Sequence, residues 1–176
     1  QAIKTLITNC GEGTEFLLLN VGDFLHCNAP NVTAAGTSLD SSGHWIDSVE
    51  SAVRIYRQTV EWALELNQKV TLLNTRGNHD EDLSMVINSM LSVYWEQEPR
   101  VTVLSNVSKF MHYQYHQVLL TSHHGDKGIK HQRIYEYFTR NHAKLWGDTT
   151  ARYCHLGHIH HKQQSEVGGA MLFESW

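Results

Sequence analysis

Four short polar clusters hold the side chains of this sequence that are equipped for chemistry: Gly22-Asp23, Gly77-Asn78-His79-Asp80, His124-Gly125 and Gly157-His158-Ile159-His160. Together they offer a carboxylate, an amide oxygen and several imidazoles, the mixed oxygen and nitrogen set that suits divalent transition metals. Asp23 has two carboxylate oxygens and can bridge two cations. Asn78 offers a neutral oxygen, and His124, His158 and His160 offer ring nitrogens. Two metals about 3.5–4 Å apart clamp a phosphate and turn a bridging water into a hydroxide nucleophile. Charge then develops on the phosphoryl group, and His79, beside Asn78, is placed to meet it. Asp80 is placed to hold the His79 ring through its other nitrogen. Taken singly, each residue is ordinary: an Asp after a strand is more often a turn residue. In the adjacent pairs His123-His124 and His160-His161, one member at most is expected to face a common centre. Four clusters in series, each at the end of an apolar run, favour a shared metal site.

The elements that must position these clusters are legible as apolar runs. Residues 16–21, 70–74, 101–104, 117–122, 153–156 and 170–174 predict strands, their continuous apolar character suggesting burial on both faces. Between them lie helical patterns. Over 45–66, Ile46, Val49, Val53, Tyr56, Val60, Ala63 and Leu64 recur at steps of three and four, with Glu50, Arg54, Arg57, Glu61 and Glu65 largely off that stripe. Further helices are predicted over 82–96 and 129–145, the latter burying Ile134, Tyr137, Phe138 and Leu145. The first residues also fit a helix. Strands alternating with helices predict an α/β fold in one domain, 1–176, without repeats or linkers. The clusters then stand at the carboxyl ends of strands, where α/β sheets gather ligands. Residues 25–44 lack any period and predict a long loop that leaves from Asp23 and hangs over the site.

Composition narrows the function. A net charge of -4 on 176 residues gives no overall basic field for nucleic acid or membrane. Lys127, Lys130 and Arg133 do follow the His124-Gly125 turn, as contacts for extra phosphates or as a solvated helix face. Histidine is abundant, at 13, and His44, His112, His116, His131 and His142 stand outside any motif and read as surface or helix residues. Cys10, Cys27 and Cys154 have no ligand-like spacing and read as free thiols of a reducing compartment. With no membrane-length apolar run and no export signal, a cytoplasmic location is expected. A closed structural zinc site is disfavoured because the cysteines lie outside the clusters.

In order and spacing, Gly22-Asp23, Gly77-Asn78-His79-Asp80, His124 and Gly157-His158-Ile159-His160 resemble the motif series of the calcineurin-like metallophosphoesterase superfamily. The resemblance runs from about residue 16 to 174. It implies a four-layer β-sandwich flanked by helices, and hydrolysis of phosphoester bonds by a metal-bridged hydroxide. It also implies two divalent metal ions, manganese first, with iron, zinc or nickel as the others. By this resemblance Asp23 is the bridging ligand, and Asn78, His124 and His158 complete one metal. His160 belongs to the other metal, and His79, with Asp80 behind it, is catalytic. His124 is preferred to His123 because the family histidine commonly precedes glycine. The opening D-x-H motif is absent, since residues 1–15 contain neither Asp nor His. The domain is therefore expected to be truncated at its N-terminus, its second metal left with Asp23 and His160. Gly22-Asp23-Phe24-Leu25-His26 and Leu156 to Lys162 are similar to the exonuclease branch typified by SbcD and to phage and prophage phosphoesterases. That implies a phosphodiesterase or nuclease acting on a phosphoester substrate, nucleic acid among the candidates, and no membrane partner. The alternative is a binding module that keeps the fold with weak turnover or none.

Overall fold

The computed structural model describes residues 2–39 and 45–175. The chain runs α1 (Ala2–Cys10), β1 (Gly13–Asn20), α2 (Trp45–Leu66), β2 (Asn67–Asn74), α3 (Glu81–Tyr94), β3 (Val101–Val103), β4 (Met111–Tyr115) and β5 (Val118–His123). It continues with α4 (His131–Asn141), α5 (Ala143–Gly147), β6 (Ala151–Leu156), β7 (Gln163–Val167) and β8 (Met171–Ser175). The fold is α/β with two sheets. One is parallel, in the order β1-β2-β3; the other is mixed, in the order β4-β5-β6-β8-β7. Within the second, β5, β6 and β8 run parallel, while β4 and β7 are antiparallel edges.

Each sheet has its own helices and core. The apolar stripe of α2 buries Val49, Ala52, Tyr56, Val60 and Ala63 in a cluster with Val70 and Leu72 of β2 and Leu83, Ile87 and Leu91 of α3. Ile46, expected on that stripe, is exposed, because the stripe first meets its neighbours a turn later. Ile134 and Phe138 of α4 close over Cys154, Leu156, Met171 and Phe173 of the second sheet. Trp45, Trp62 and Trp95 pack against the first cluster and Trp146 against the second. Polar bonds tie the sheets together at the ends of their strands. The buried Thr75 hydroxyl donates to Ser122 Oγ at 2.7 Å, and Ser122 donates in turn to the His155 carbonyl at 3.1 Å. Breaking such a buried pair on one side costs about 1–3 kcal/mol.

Several expectations need correction. β4 and β7 were not foreseen, since Met-His-Tyr-Gln-Tyr and Gln-Gln-Ser-Glu-Val lack an apolar run. Both are edge strands, which need only one buried face. β4 joins β5 through His116-Gln117, where His116 takes the left-handed backbone (φ 50°) that a two-residue hairpin demands. Asn or Gly would have signalled this turn; His, one of the residue types that tolerates that conformation, did not. The helix over 129–145 breaks at His142, whose φ of -129° is non-helical. Of the histidines read as surface or helix residues, His116 is exposed and His131 opens α4, whereas His112 and His142 are half-buried packing partners, as is the His131 ring. The His112 and His142 rings lie 4.6 Å apart, and His131 stacks flat on Phe173 at 4.6 Å. His44 lies outside the described residues, as does part of the 25–44 loop. What is described of that loop is pinned rather than free. Asn28 Oδ1 accepts from the Asp82 and Leu83 amides at 2.7 and 3.0 Å, capping α3 from a distance, and the Ala34 amide donates to the His79 carbonyl.

Candidate metal centre

The four clusters lie just beyond the carboxyl ends of β1, β2, β5 and β6, and the two sheets bring those ends together. Ligand atoms of Asp23, His124 and His158 all fall within 4.8 Å of one another. Asn78 joins them: its Oδ1 is 2.9 Å from His124 Nε2 and 2.9 Å from His158 Nδ1. Asp23 Oδ2 is 3.0 Å from His124 Nε2. Neighbouring ligands at right angles around a cation with bonds of about 2.1 Å are separated by about 3.0 Å. The observed separations match that spacing, and they are also the lengths of direct hydrogen bonds between these side chains.

His124 decides the chemistry of the cluster. Its ring is buried, and Nδ1 lies 2.8 Å from the Val21 carbonyl, which can only accept, so Nδ1 carries a proton. Nε2 then faces two oxygens, Asp23 Oδ2 and Asn78 Oδ1. A neutral ring would press its lone pair against both. The arrangement is stable when Nε2 is protonated or when a cation sits between these atoms, and the donor set is one a divalent metal can use. Burial alone would lower the His124 pKa, but the bonds to Asp23 and Val21 and the Asp23 charge raise it above its ordinary value. Burial likewise pushes Asp23 up. The bond from His124, the His79 amide and the nearby rings outweigh that and hold its carboxyl at about 2.

The signs of these shifts set a pH dependence. The depressed Asp23 adds stability above its unfolded pKa of about 4, lost as pH falls towards its folded value. The raised His124 adds stability below its unfolded pKa of about 6.5, lost as pH rises through its folded value. The ion pair is thus whole between those limits, and a metal must displace the His124 proton to bind. Affinity for Mn is expected to weaken from about pH 8 to about pH 6, with proton release on binding at the lower pH. Titration calorimetry in buffers of different ionisation enthalpy reads both quantities; a pH-independent affinity would contradict this picture.

The backbone is shaped to crowd these ligands. Asp23 (φ 53°), His158 (φ 69°) and His160 (φ 53°) all adopt the left-handed conformation, which costs about 1–3 kcal/mol where the side chain does not favour it. Asp and His are among the types that tolerate it. A Cβ on Gly22 would stand 2.5 Å from His124 Nδ1, and one on Gly77 would overlap the Asp23 carboxylate and amide. These glycines are what lets three loops close on one point.

The remaining site residues fall differently from expectation. His79 donates its amide to Asp23 Oδ1 at 2.9 Å and brings Nε2 within 3.9 Å of Asp23 Oδ2, its ring part-exposed. Asp80 does not hold that ring. It is buried, and its Oδ2 accepts from the Leu25 amide at 2.9 Å, while Oδ1 has no hydrogen bond among the described residues. The chain turns into α3 at Glu81, so the side chains of His79 and Asp80 diverge. His79 Nδ1 instead meets His26 Nδ1 at 2.9 Å, their rings 4.8 Å apart. His26 was not among the candidate site residues, although its signal was present in Gly22-Asp23-Phe24-Leu25-His26. His160 is exposed and outside the three-residue cluster. His123, the rejected neighbour of His124, is buried on another side, accepting from the Gly125 amide.

No protein-family model and no curated protein sequence matches the chain. Among solved structures, a crystal structure of a Vps29 single mutant from Entamoeba histolytica is similar at 14% identity and a TM-score of 0.42. The alignment covers 99% of this chain and 62% of that one, so the chain spans less than two thirds of its length. Overlap at this level does not define a shared fold. Among the described residues, no helix is long and apolar enough to cross a membrane.

Proposed function

We propose that this chain is a metal-dependent phosphoesterase of the calcineurin-like metallophosphoesterase type, a cytoplasmic phosphodiesterase or nuclease built on that superfamily's four-layer sandwich. The observation that carries the reading is the convergence of Asp23, Asn78, His124 and His158 from four strand ends, with His124 Nε2 turned onto two oxygens. These residues hold a divalent metal, manganese first by resemblance, and His160 belongs to a second one. The metal, when bound, supplies Lewis acidity and an activated water. The chain supplies orientation and a proton. The 2.9 Å contact between the two Nδ1 atoms needs one ring to donate and the other to accept; where His26 is the donor, His79 is left with its N–H on Nε2, the nitrogen nearer Asp23. That tautomer donates to a phosphoryl oxygen or to the leaving group. Asp80 keeps a structural part, fixing Leu25 and hence the turn that carries His26.

A second reading, a binding module with weak turnover, draws support from His160, which lies outside the cluster and would share only Asp23 with a second ion. Hydrolysis of bis-p-nitrophenyl phosphate and p-nitrophenyl phosphate with added Mn separates the two. Turnover of the diester in preference to the monoester is the expected result. Bound metal without turnover of either ester supports the binding module. Failure to bind metal at all rejects both.

A further inference from the structure

The end of β5 sends two histidines to two places. His124 faces the metal ligands, while His123 lines a separate cavity of about 690 Å³. The cavity adjoins the ligand cluster, because the two rings stand on consecutive residues at the end of β5. The cavity has three chemically distinct parts. Phe110 and Ile129 form an apolar wall, with Phe110 backed by Tyr137 in a parallel stack at 3.9 Å. His123 extends that wall, its ring centroid 5.0 Å from that of Phe110. Asp126 is buried at the lining, and its Oδ2 has no hydrogen bond among the described residues; Lys109 Nζ lies 3.6 Å away, but it is hydrogen-bonded to Glu81 Oε2 at 2.9 Å, a second carboxylate of the lining. Lys127, Lys130 and Arg133 line the same cavity, are exposed, and make no ion pair among the described residues. The start of α4 adds its positive end to that rim.

These parts together describe a ligand. An apolar wall takes a planar ring, a buried carboxylate oxygen without a donor takes an N–H from the ring edge, and a cationic rim takes an anion beyond the ring. The volume suits a molecule of nucleotide size. We infer that this cavity is a nucleotide subsite, with a guanine-type N–H edge on Asp126 and the phosphate at Lys127, Lys130 and Arg133. The inference rests on the phosphoesterase reading for its place beside the centre, where it would seat the nucleoside neighbouring the cleaved phosphate.

Binding can be tested without catalysis, by calorimetry on chelator-treated protein with guanosine monophosphate, guanosine and inorganic phosphate. The nucleotide is expected to bind at least about tenfold more tightly than phosphate or guanosine alone. Asp126→Asn and the paired exposed changes Lys130→Glu with Arg133→Glu are each expected to weaken it about tenfold. In the paired variant, the preference for a nucleoside diester over bis-p-nitrophenyl phosphate, measured as kcat/KM, falls by a similar factor. Equal affinity for phosphate and nucleotide would overturn the inference, as would nucleotide binding unaltered in the paired variant. Since this binding needs neither metal nor turnover, it stands or falls apart from hydrolysis at the centre.

Discussion

Replacing His124 with alanine is expected to lower affinity for Mn by at least about 100-fold, whereas His160→Ala changes it by less than about threefold. The contrast follows from geometry rather than residue type. His124 Nε2 is within 3.0 Å of both Asp23 Oδ2 and Asn78 Oδ1, and its ring is locked from behind by the Val21 carbonyl. His160 belongs to the same Gly-His-x-His motif as His158, yet only His158 reaches the cluster. Truncating His124 removes a pre-oriented ligand and leaves Asp23 without the partner that holds its carboxyl at about 2. His124→Gln, which keeps a side-chain donor for Val21, guards against loss of the fold as the explanation. Calorimetric titration of metal-free protein reads the affinities. The rise in melting temperature with saturating Mn gives an independent check, because a metal at 100 times its Kd adds about 2.7 kcal/mol to stability. Unchanged Mn affinity in both His124 variants would remove the centre described above. A large loss in His160→Ala would mean that the second ion assigned to His160 dominates the measured affinity, or that the turn at residues 158–160 rearranges on metal binding.

Much of this centre was legible before the fold was known, and the reason is local. Gly22-Asp23, Gly77-Asn78, His124-Gly125 and Gly157-His158 each sit at the end of a strand whose apolar run is self-evident, so their convergence follows from the parallel strand order. Of the two adjacent rings, His124 faces Asp23 and Asn78, and His123 lies on another side. What sequence did not disclose depends on contacts distant along the chain. The His26–His79 pair spans 53 residues. Asp80 looked like the partner of His79 because it is adjacent in sequence, but adjacency at a helix start sends side chains apart. The helix α3 takes its cap from Asn28 rather than from Asp80 beside it. β4 and β7 went unseen because edge strands with polar faces carry little hydrophobic signal, and the packing of His112 and His142 because histidine packs on aromatic rings as readily as it faces water.

The second large effect is expected at His79. His79→Ala should lower kcat for a diester by about 10²–10⁴, the usual weight of a positioned proton donor, while Mn affinity stays within about threefold of the parent. The two readouts separate because the tie from His79 to the metal ligands is made by its backbone: the amide donates to Asp23 Oδ1 at 2.9 Å, and alanine keeps that bond. The side chain contributes its ring, which is held by the 2.9 Å contact between the two Nδ1 atoms. His26 therefore acts as a positioning residue, and its removal should leave both tautomers of His79 accessible. His26→Ala is expected to lower kcat by about tenfold, since the His79 ring then loses the contact that fixes its orientation and tautomer. His26→Asn, whose amide can still donate, should recover part of the loss. A pH–rate profile for the three variants decides the matter. If His26→Ala keeps the parent kcat and profile while His79→Ala loses activity, His79 works alone and its 2.9 Å contact with His26 is packing. If His79→Ala retains full turnover with metal bound, the proton comes from elsewhere, and the chemistry assigned to the Gly77-Asn78-His79-Asp80 cluster reduces to holding the ion.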